Sequence, residues 1–435
     1  MRCEKVGGVD CSYFDAGLCR SCTLLPVPMS TRVESQQAEV ADLLAPFWAA
    51  GEEGAAGESG AAQEEERSAR TTEQNWLPPV VGPESGFRIK VKMVVAGTTE
   101  HPTLGILDED GAGIDLTDCP LYPESIHTVI RTLPWLIKRA QVPPYNVRKR
   151  KGQLKHVIVT AGDDNRVMVR FVLASQSALP RLQEHLPAFM DACEEVEVFS
   201  ASANINPVHT AIIEGDEEIA LHGPQWLPVT QGRVQLKVRP QSFVQTNTAV
   251  ASGLYEQVRE WVANAEVAAS SNGPHLTVWD LFCGVGGFAL HVAGPGRQVT
   301  GVEVAPAAVE SARDVARELA RGAERDAAGE DDLGLNFICG DAAQWARQQT
   351  QVPDVLIVNP PRRGMGEDMA GWVEQSGIPH VIYSSCNPRT LAADLKKMPG
   401  YRIEQARFLD MFPHTSHAEV VVRLARQAGG STNTP

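Results

Sequence analysis

In the stretch "FRIKVKMVV", Phe87, Ile89, Val91 and Met93 alternate with Arg88, Lys90 and Lys92. A period of two predicts a half-buried strand with a basic outer face. "HVIVTAG", "RVMVRFVLAS" and "VEVFSASANI" predict further strands, and "PESIHTVIRTLPWLIKRA" predicts a helix between them. The pattern runs from about Pro79 to Gln235 and predicts an α+β central domain, taken as residues 76–235. Downstream the texture changes. "AVASGLYEQVREWVANA" predicts a helix. It is followed by "LTVWDLF", "QVTGVEV", "LNFICGD", "VLIVNPP" and "HVIYSS", each separated by enough chain for a helix. Strands alternating with helices predict an α/β, mostly parallel, doubly wound sheet over residues 236–427, with 428–435 as a tail. Upstream, "TRVESQQAEVADLLAPFW" predicts a helix after a cysteine-rich start, so residues 1–48 form an arm and helix.

A chain of 435 residues exceeds one hydrophobic core and calls for two or three domains. No apolar run approaches the ~18–20 residues that span a bilayer. The start, "MRCEKVGGVDC", lacks the apolar stretch of a secretory signal. These features predict a cytoplasmic protein with no membrane partner, its nine cysteines serving as thiols, ligands or nucleophiles. A monomer is expected.

Net charge is −15, which taken alone argues against a polyanionic partner. The charge is unevenly spread, however. "GEEGAAGESGAAQEEERSAR" carries six glutamates between Glu52 and Glu66 and has no apolar period, so residues 49–75 are expected to be a disordered acidic linker. "ERDAAGEDD" adds five acids in an expected loop near residues 324–332. Between Arg131 and Lys155, by contrast, stand eight Lys/Arg and no Asp/Glu. On charge alone this stretch is either a solvated face or a local surface for a polyanion.

"VWDLFCGVGGFAL" is an apolar strand running into Gly284, Gly286 and Gly287. Glycines there allow a tight turn and close approach of a ligand at the strand's carboxyl end. Nineteen residues after Gly284, "VTGVEVAP" ends a strand at Glu303, where a carboxylate can accept hydrogen bonds from ribose hydroxyls. NAD and S-adenosylmethionine (SAM) compete for such a loop. The form Asp280-Leu-Phe-Cys-Gly-Val-Gly-Gly and the later "NPP" at Asn359 favour SAM. Asp341 in "ICGDAA" is placed to bond an adenine amine.

Cys386 ends another strand, in "YSSCNP". A methyltransferase has a use for a thiol there. Carbon 5 of uracil is a poor nucleophile, and addition of a thiolate to carbon 6 makes it an enolate carbon able to take a methyl group. The carbon 5 proton must then leave, which requires a base before the thiol is eliminated. "FPHTSHAEVVV" supplies Glu419, with His414 and His417 nearby.

Together "LFCGVGGF", "NPPRRG", "SSCN" and "MFPHTSHAEVV" resemble the SAM-dependent RNA 5-methyluridine methyltransferases. With the first cysteines, "FRIKVKMVV", "CPLYP" and "RPQSFVQTN", the resemblance covers nearly the whole chain and points to the branch that modifies uridine 747 of 23S rRNA. It implies a Rossmann-like SAM methyltransferase domain, preceded by the α+β domain and the cysteine-rich arm. The family's nucleophile falls on Cys386 and its general base on Glu419. Its cofactor contacts fall on Gln245, Phe282, Glu303 and Asn359. The β-barrel RNA-binding domain that opens a related branch is not expected, so RNA contact, including Arg148, Lys149, Arg150 and Lys151, is expected to rest on the central domain.

Cys11, Cys19 and Cys22, with spacings x7 and x2, are joined by Cys119 in "DLTDCPLYP". Spacing alone leaves tetrahedral zinc and an iron–sulfur cluster both open. The resemblance implies a [4Fe-4S] cluster. Cys3 repeats the x7 spacing before Cys11, but "CSYFDAGLCRSC" matches the family's first-ligand context, which favours Cys11. Cys193, Cys283 and Cys339 are expected to be packing or loop residues.

Overall fold

The computed structural model describes residues 8–48, 75–210, 212–269, 275–326 and 333–427. Cys3, the linker at 49–74, residues 327–332 of the acidic loop and the tail lie outside the described residues. The chain divides into two compact units. An α+β unit takes Met1–Leu25, Pro83–Gln231 and Gln235–Thr248; an α/β unit takes Pro26–Gly82, Gly232–Val234 and Ala249–Pro435.

The α+β unit is built on a seven-stranded sheet. Its strands are β2 (Lys90–Gly97), β3 (Pro102–Leu107), β4 (Gly113–Asp115), β5 (Leu154–Ala161), β6 (Arg166–Leu173), β7 (Glu197–Ile205) and β8 (Glu217–His222). Their order is β4-β3-β2-β5-β6-β7-β8, antiparallel except for the β6–β7 pair. Helices α3 (Glu124–Arg139) and α4 (Leu179–Ala192) belong to the same unit. Their buried positions, including Ile126, Ile130, Leu133 and Leu182, form one core with the inward residues of the strands. A short hairpin of β9 (Leu227–Gln231) and β10 (Val234–Val238) follows, and α1 (Ser12–Asp15) lies in the arm.

The strand of "FRIKVKMVV" is half-buried as expected, with Arg88 and Lys92 exposed, and acids from other segments meet its basic face. Arg170, 1% exposed, bonds Glu214 and Glu218. Ser202 and Asn204 also donate to Glu218. Lys92 pairs with Glu214 at 2.6 Å, and Lys90 donates to the Ser242 carbonyl at 2.9 Å. Burial lowers the Lys90 ammonium to about 8.

The α/β unit holds an eight-stranded sheet, ordered β1-β16-β17-β15-β14-β11-β12-β13. The strands are β1 (Trp76–Val80), β11 (Leu276–Leu281), β12 (Arg297–Glu303), β13 (Leu335–Cys339), β14 (Val355–Val358), β15 (His380–Ser385), β16 (Tyr401–Leu409) and β17 (Glu419–Arg426). Parallel pairing links β13, β12, β11, β14 and β15. β17 runs antiparallel between β15 and β16. All four residues of β14 are buried, the mark of a parallel strand covered on both faces. The helices are α2 (Met29–Leu44), α5 (Thr248–Ala269), α6 (Gly287–Val292), α7 (Pro306–Asp326), α8 (Ala342–Arg347), α9 (Glu367–Ser376) and α10 (Pro388–Leu395). Among the described residues no helix is long and apolar enough to cross a membrane.

Two elements sit differently from the expected domain borders. Helix α2, assigned from sequence to the arm, packs Val33, Val40 and Leu44 into the α/β core. Strand β1, assigned to the central domain, pairs in parallel with β16. An amphipathic helix or an edge strand needs a partner, and its periodicity does not say which one. The acidic stretch at 324–332 also begins inside α7 rather than in a loop.

Arg32 of α2 donates to both carboxylate oxygens of Asp410, at 2.9 and 3.1 Å, and both side chains are almost fully buried. Removing one member of such a pair strands a charge in the interior. Asp410→Ala should destabilise the α/β unit by about 3–5 kcal/mol. Six of the eight tryptophans lie in this unit, so urea unfolding followed by their fluorescence reads the change. A loss below about 1 kcal/mol, the scale of a surface pair, would count against this role.

Candidate active site and cysteine site

The candidate residues of the α/β unit gather along one edge of its sheet. Parallel strands end there, and ligands of doubly wound folds bind outside those carboxyl ends. β11 is flanked by β12 and β14, so the strand order reverses beside it. Phe282 follows β11, Glu303 ends β12, Asn359 follows β14 and Cys386 follows β15. Glu419 opens the antiparallel β17, which brings it to the same edge.

The turn after β11 is tight. Phe282 has φ +64°, a left-handed conformation that a non-glycine residue adopts at a cost. Gly286 has φ +84°, and a Cβ there would lie 2.9 Å from the Phe337 ring. Gly284 has φ +54° and open space on its Cβ side. The Glu303 carboxylate accepts the Gly284 amide at 3.1 Å and the Ala305 amide at 2.9 Å. These bonds fix its direction and leave lone pairs for a ligand. Below the turn, Asp280 is fully buried and accepts the Ala289 amide at 2.9 Å; burial pushes its carboxyl up to about 7. Asn359 is half-buried, and its backbone N–H donates to the Leu281 carbonyl at 3.5 Å. Asp341 caps α8 by accepting the Gln344 amide at 2.8 Å, so its carboxylate serves the helix start. Gln245 lies in the α+β unit, 6% exposed, with its carbonyl accepting from the Gln231 side chain at 2.7 Å.

The β15–β17 register pairs Ser385 with Val420 and Ser384 with Val421. It sets Glu419 beside the end of β15. Ser384 Oγ donates to Glu419 Oε1 at 2.9 Å. Glu419 is 2% exposed, and burial pushes its carboxyl up to about 7, opposed by the Ser384 hydrogen bond and by the charge of Arg362. Cys386 is half-buried. Burial and the Glu419 charge raise its thiol, while Arg362 lowers it by charge and hydrogen bond. Cys386 also stands one residue before the N-cap of α10, an end whose amides favour a nearby anion.

A cavity of about 410 Å³ opens at Cys386, lined also by Gln36, Glu39, Arg362, Asn387 and His417. Several of these were not foreseen. Arg362 stands three residues after Asn359 in "NPPRRG", a signal available in the sequence. Gln36 and Glu39 come from α2, over three hundred residues away in sequence, and nothing local announces them. Gln36 Nε2 donates to the Thr415 and His417 carbonyls at 3.1 and 3.4 Å, tying α2 to the loop before Glu419. His417 is exposed and its imidazole is lowered by desolvation and by Arg362; His414 is fully buried.

In the α+β unit, Cys11, Cys19, Cys22 and Cys119 line one recess with Tyr13, Phe14, Leu25, Leu116 and Leu121. Burial raises Cys22 to about 11, and the neighbouring Cys119, Cys19 and Cys11 add to the rise; Arg88 opposes it. Burial also raises Cys119. Among the described residues no group of three or more His, Cys, Asp or Glu is arranged to hold a metal ion. Cys193 and Cys283 are buried, and the exposed Cys339 lies 3.7 Å from the Val304 carbonyl; none of them joins either site.

Comparison with known proteins follows the same lines. A family profile described as tRNA (Uracil-5-)-methyltransferase matches residues 348–427, the span holding Asn359, Cys386 and Glu419. A solved structure of Pyrococcus abyssi tRNA (uracil-54, C5)-methyltransferase superposes with a TM-score of 0.68 at 23% identity, over 93% of this chain and 86% of that one. The fold is thus that of the SAM-dependent methyltransferases. The 23S rRNA (uracil(747)-C(5))-methyltransferase of Escherichia coli O9:H4 is 42% identical over 96% of this chain and 100% of its own length. That of Shigella boydii serotype 4 is 41% identical over the same shares. The chain belongs to the 23S rRNA (uracil-C5)-methyltransferase family.

A buried carboxyl raised to about 7 has a consequence for stability. The folded chain holds this proton more tightly than the unfolded chain, where a glutamate titrates near 4.3. Its contribution is fully present below about pH 4.3 and is lost as pH rises through about 7. Glu419→Gln, which escapes this loss, should be more stable than wild type at pH 8 by on the order of 1–3 kcal/mol. At pH 4 the two should converge. Urea midpoints at both pH values test this, and an equal difference at each would refute the burial assignment.

Proposed function

We infer that this protein transfers a methyl group from SAM to carbon 5 of a uridine in 23S rRNA, with uridine 747 as the target. The observation that carries the reading is the pairing of a half-buried thiol with a buried carboxylate of raised pKa at the edge of a SAM-type sheet. Identity of 42% over 96% of the chain supports the choice of RNA.

The residues present fit the cofactor. Open space at Gly284 and an oriented Glu303 carboxylate suit a nucleoside with a ribose diol. Glu303, Phe282, Asn359 and Gln245 are the residues proposed to hold it. Bound there, SAM supplies an electrophilic methyl group.

Cys386 adds as thiolate to carbon 6 of the uracil, forming a C–S bond and leaving carbon 5 as an enolate carbon. Arg362 favours the thiolate by charge and hydrogen bond. Once carbon 5 carries its methyl, Glu419 takes the proton that remains on it. A carboxyl near 7 is partly ionised at neutral pH and basic enough to accept that proton. The electron pair released re-forms the C5=C6 double bond as the C6–S bond breaks and the thiolate leaves. Ser384 holds the carboxylate in place through the cycle.

The four clustered cysteines are proposed to hold a [4Fe-4S] cluster. Their recess has sulfur donors and apolar walls, a chemistry suited to an iron–sulfur centre. Thiols raised by burial and by one another need a cation to ionise together. A cluster there cross-links the arm to the loop carrying Cys119.

The two roles at the active site separate in time, and so do the expected variants. Cys386→Ala should bind RNA and SAM yet transfer no methyl group. Glu419→Gln should methylate once and stall as RNA linked through Cys386, with one methyl on carbon 5. Denaturing gels and mass spectrometry with labelled SAM detect that adduct. Normal turnover by Glu419→Gln would assign the base elsewhere. Methyl transfer by Cys386→Ala would end the covalent mechanism.

For the cysteine site, anaerobically purified protein should be brown and carry about four iron and four sulfide per chain. Cys11→Ser should lower both. Stoichiometric zinc without iron, in protein made with intact iron supply, would replace the cluster by a zinc site.

A further inference from the structure

A second cavity, of about 380 Å³, lies wholly within the α+β unit, a size typical of small-molecule sites. Val147, Val208 and Ile212, three of the nine large hydrophobic side chains exposed among the described residues, converge on it. Tyr145 and His209 form an aromatic pair on its wall, ring centres 6.1 Å apart, with the phenol oxygen 3.2 Å from His209 Nδ1. Lys155 is held in place: its ammonium sits 4.8 Å from the Tyr145 ring centre and donates to the Val208 carbonyl at 2.6 Å. His156 also lines the cavity, and its Nδ1 is buried with no hydrogen-bond partner. Directly after Tyr145 the chain makes a turn closed by Asn146 and Lys151, which exposes Arg148, Lys149, Arg150 and Lys151. Of these, Arg148 lies 3.6 Å from Asp110 in an exposed pair.

We propose that this cavity receives one unstacked nucleotide of the substrate RNA, other than the uridine that is methylated. The proposal rests on the reading of the protein as an rRNA methyltransferase and adds a recognition site to it. Sequence-specific RNA binding works on splayed bases, which need an aromatic or aliphatic slot for their faces and polar groups for their edges. The aliphatic rim and the Tyr145–His209 pair supply the slot. Lys155, with one hydrogen bond to the Val208 carbonyl and further N–H groups, supplies the edge contacts. The exposed cationic turn beside the slot matches the phosphates that flank any such base. An acidic or apolar peptide would satisfy the rim or the cations, but it leaves the paired rings without a role.

The test uses the full protein and a 23S rRNA fragment containing the target loop, with methyl transfer from labelled SAM as readout. Tyr145→Ala and His209→Ala should raise the KM for RNA by roughly 5- to 100-fold, the scale of one lost base stack. Their kcat and KM for SAM should stay as in wild type, which also shows that the variants are folded. Tyr145→Phe keeps the ring and should stay close to wild type. An abasic substitution walked through the RNA then locates the partner: at one non-target position the abasic RNA should no longer distinguish Tyr145→Ala from wild type. If wild type methylates the fragment but neither alanine variant changes the KM for RNA, the slot belongs to a protein partner or to plain surface and the proposal falls alone. Absence of methylation by wild type would remove both the functional reading and this assignment.

Discussion

The antiparallel pairing of β15 with β17 is the constraint on which the proposed chemistry rests. Side chains alternate along a strand, so a slip of one residue would turn Glu419 to the opposite face and away from Cys386. Ser385 opposite Val420 fixes the pairing on one side, and β16 opposite β17 holds it on the other. β16 runs directly into Asp410, the buried partner of Arg32. Helix α2 therefore anchors the strand behind the one that carries Glu419, and its Gln36 holds the loop that feeds it. Residues from both ends of the α/β unit's sequence thus act on a single strand register.

That register brings together two groups that resist being charged at once. Burial raises both the Cys386 thiol and the Glu419 carboxyl, and each anion raises the other's cost. Arg362 eases the conflict without abolishing it. The tension suits a reaction in which the thiolate acts first, and in which the carboxylate gains a proton only after the sulfur has become neutral in a C–S bond. In the proposed reaction a site relaxed by stronger cations would hold a weaker base, because a lower carboxyl pKa means a poorer grip on the carbon 5 proton.

Much of this was visible along the chain. Apolar runs ending at Phe282, Glu303, Asn359 and Cys386 were legible because parallel strands buried on both faces write themselves as continuous hydrophobic segments. Their common edge followed from the alternation with helices. Alternation in "FRIKVKMVV" gave the strand and its basic outer face but not the acids that pair with Lys92 and Arg170, since Glu214 and Glu218 come from a distant segment. The placement of α2 and β1 was likewise hidden, because a partner for an amphipathic face is chosen by the whole fold. The slot around Tyr145 was invisible for the same reason: Val147, Lys155 and Ile212 form no periodic pattern and meet only after folding.

The cysteine recess has a consequence for how the chain is made. Three of its thiols lie within the first 22 residues, and the fourth arrives about a hundred residues later. At a synthesis rate of about 5–20 residues per second, the amino-terminal trio emerges roughly 5–20 s before its completing partner exists. During that interval the three sulfurs have no closed recess and face the solvent as ordinary thiols. The order of residues along the chain thus imposes a waiting period in which the newborn arm is open to oxidants and to stray metals. It ends only when the segment carrying Cys119 has been synthesised and folded over the arm.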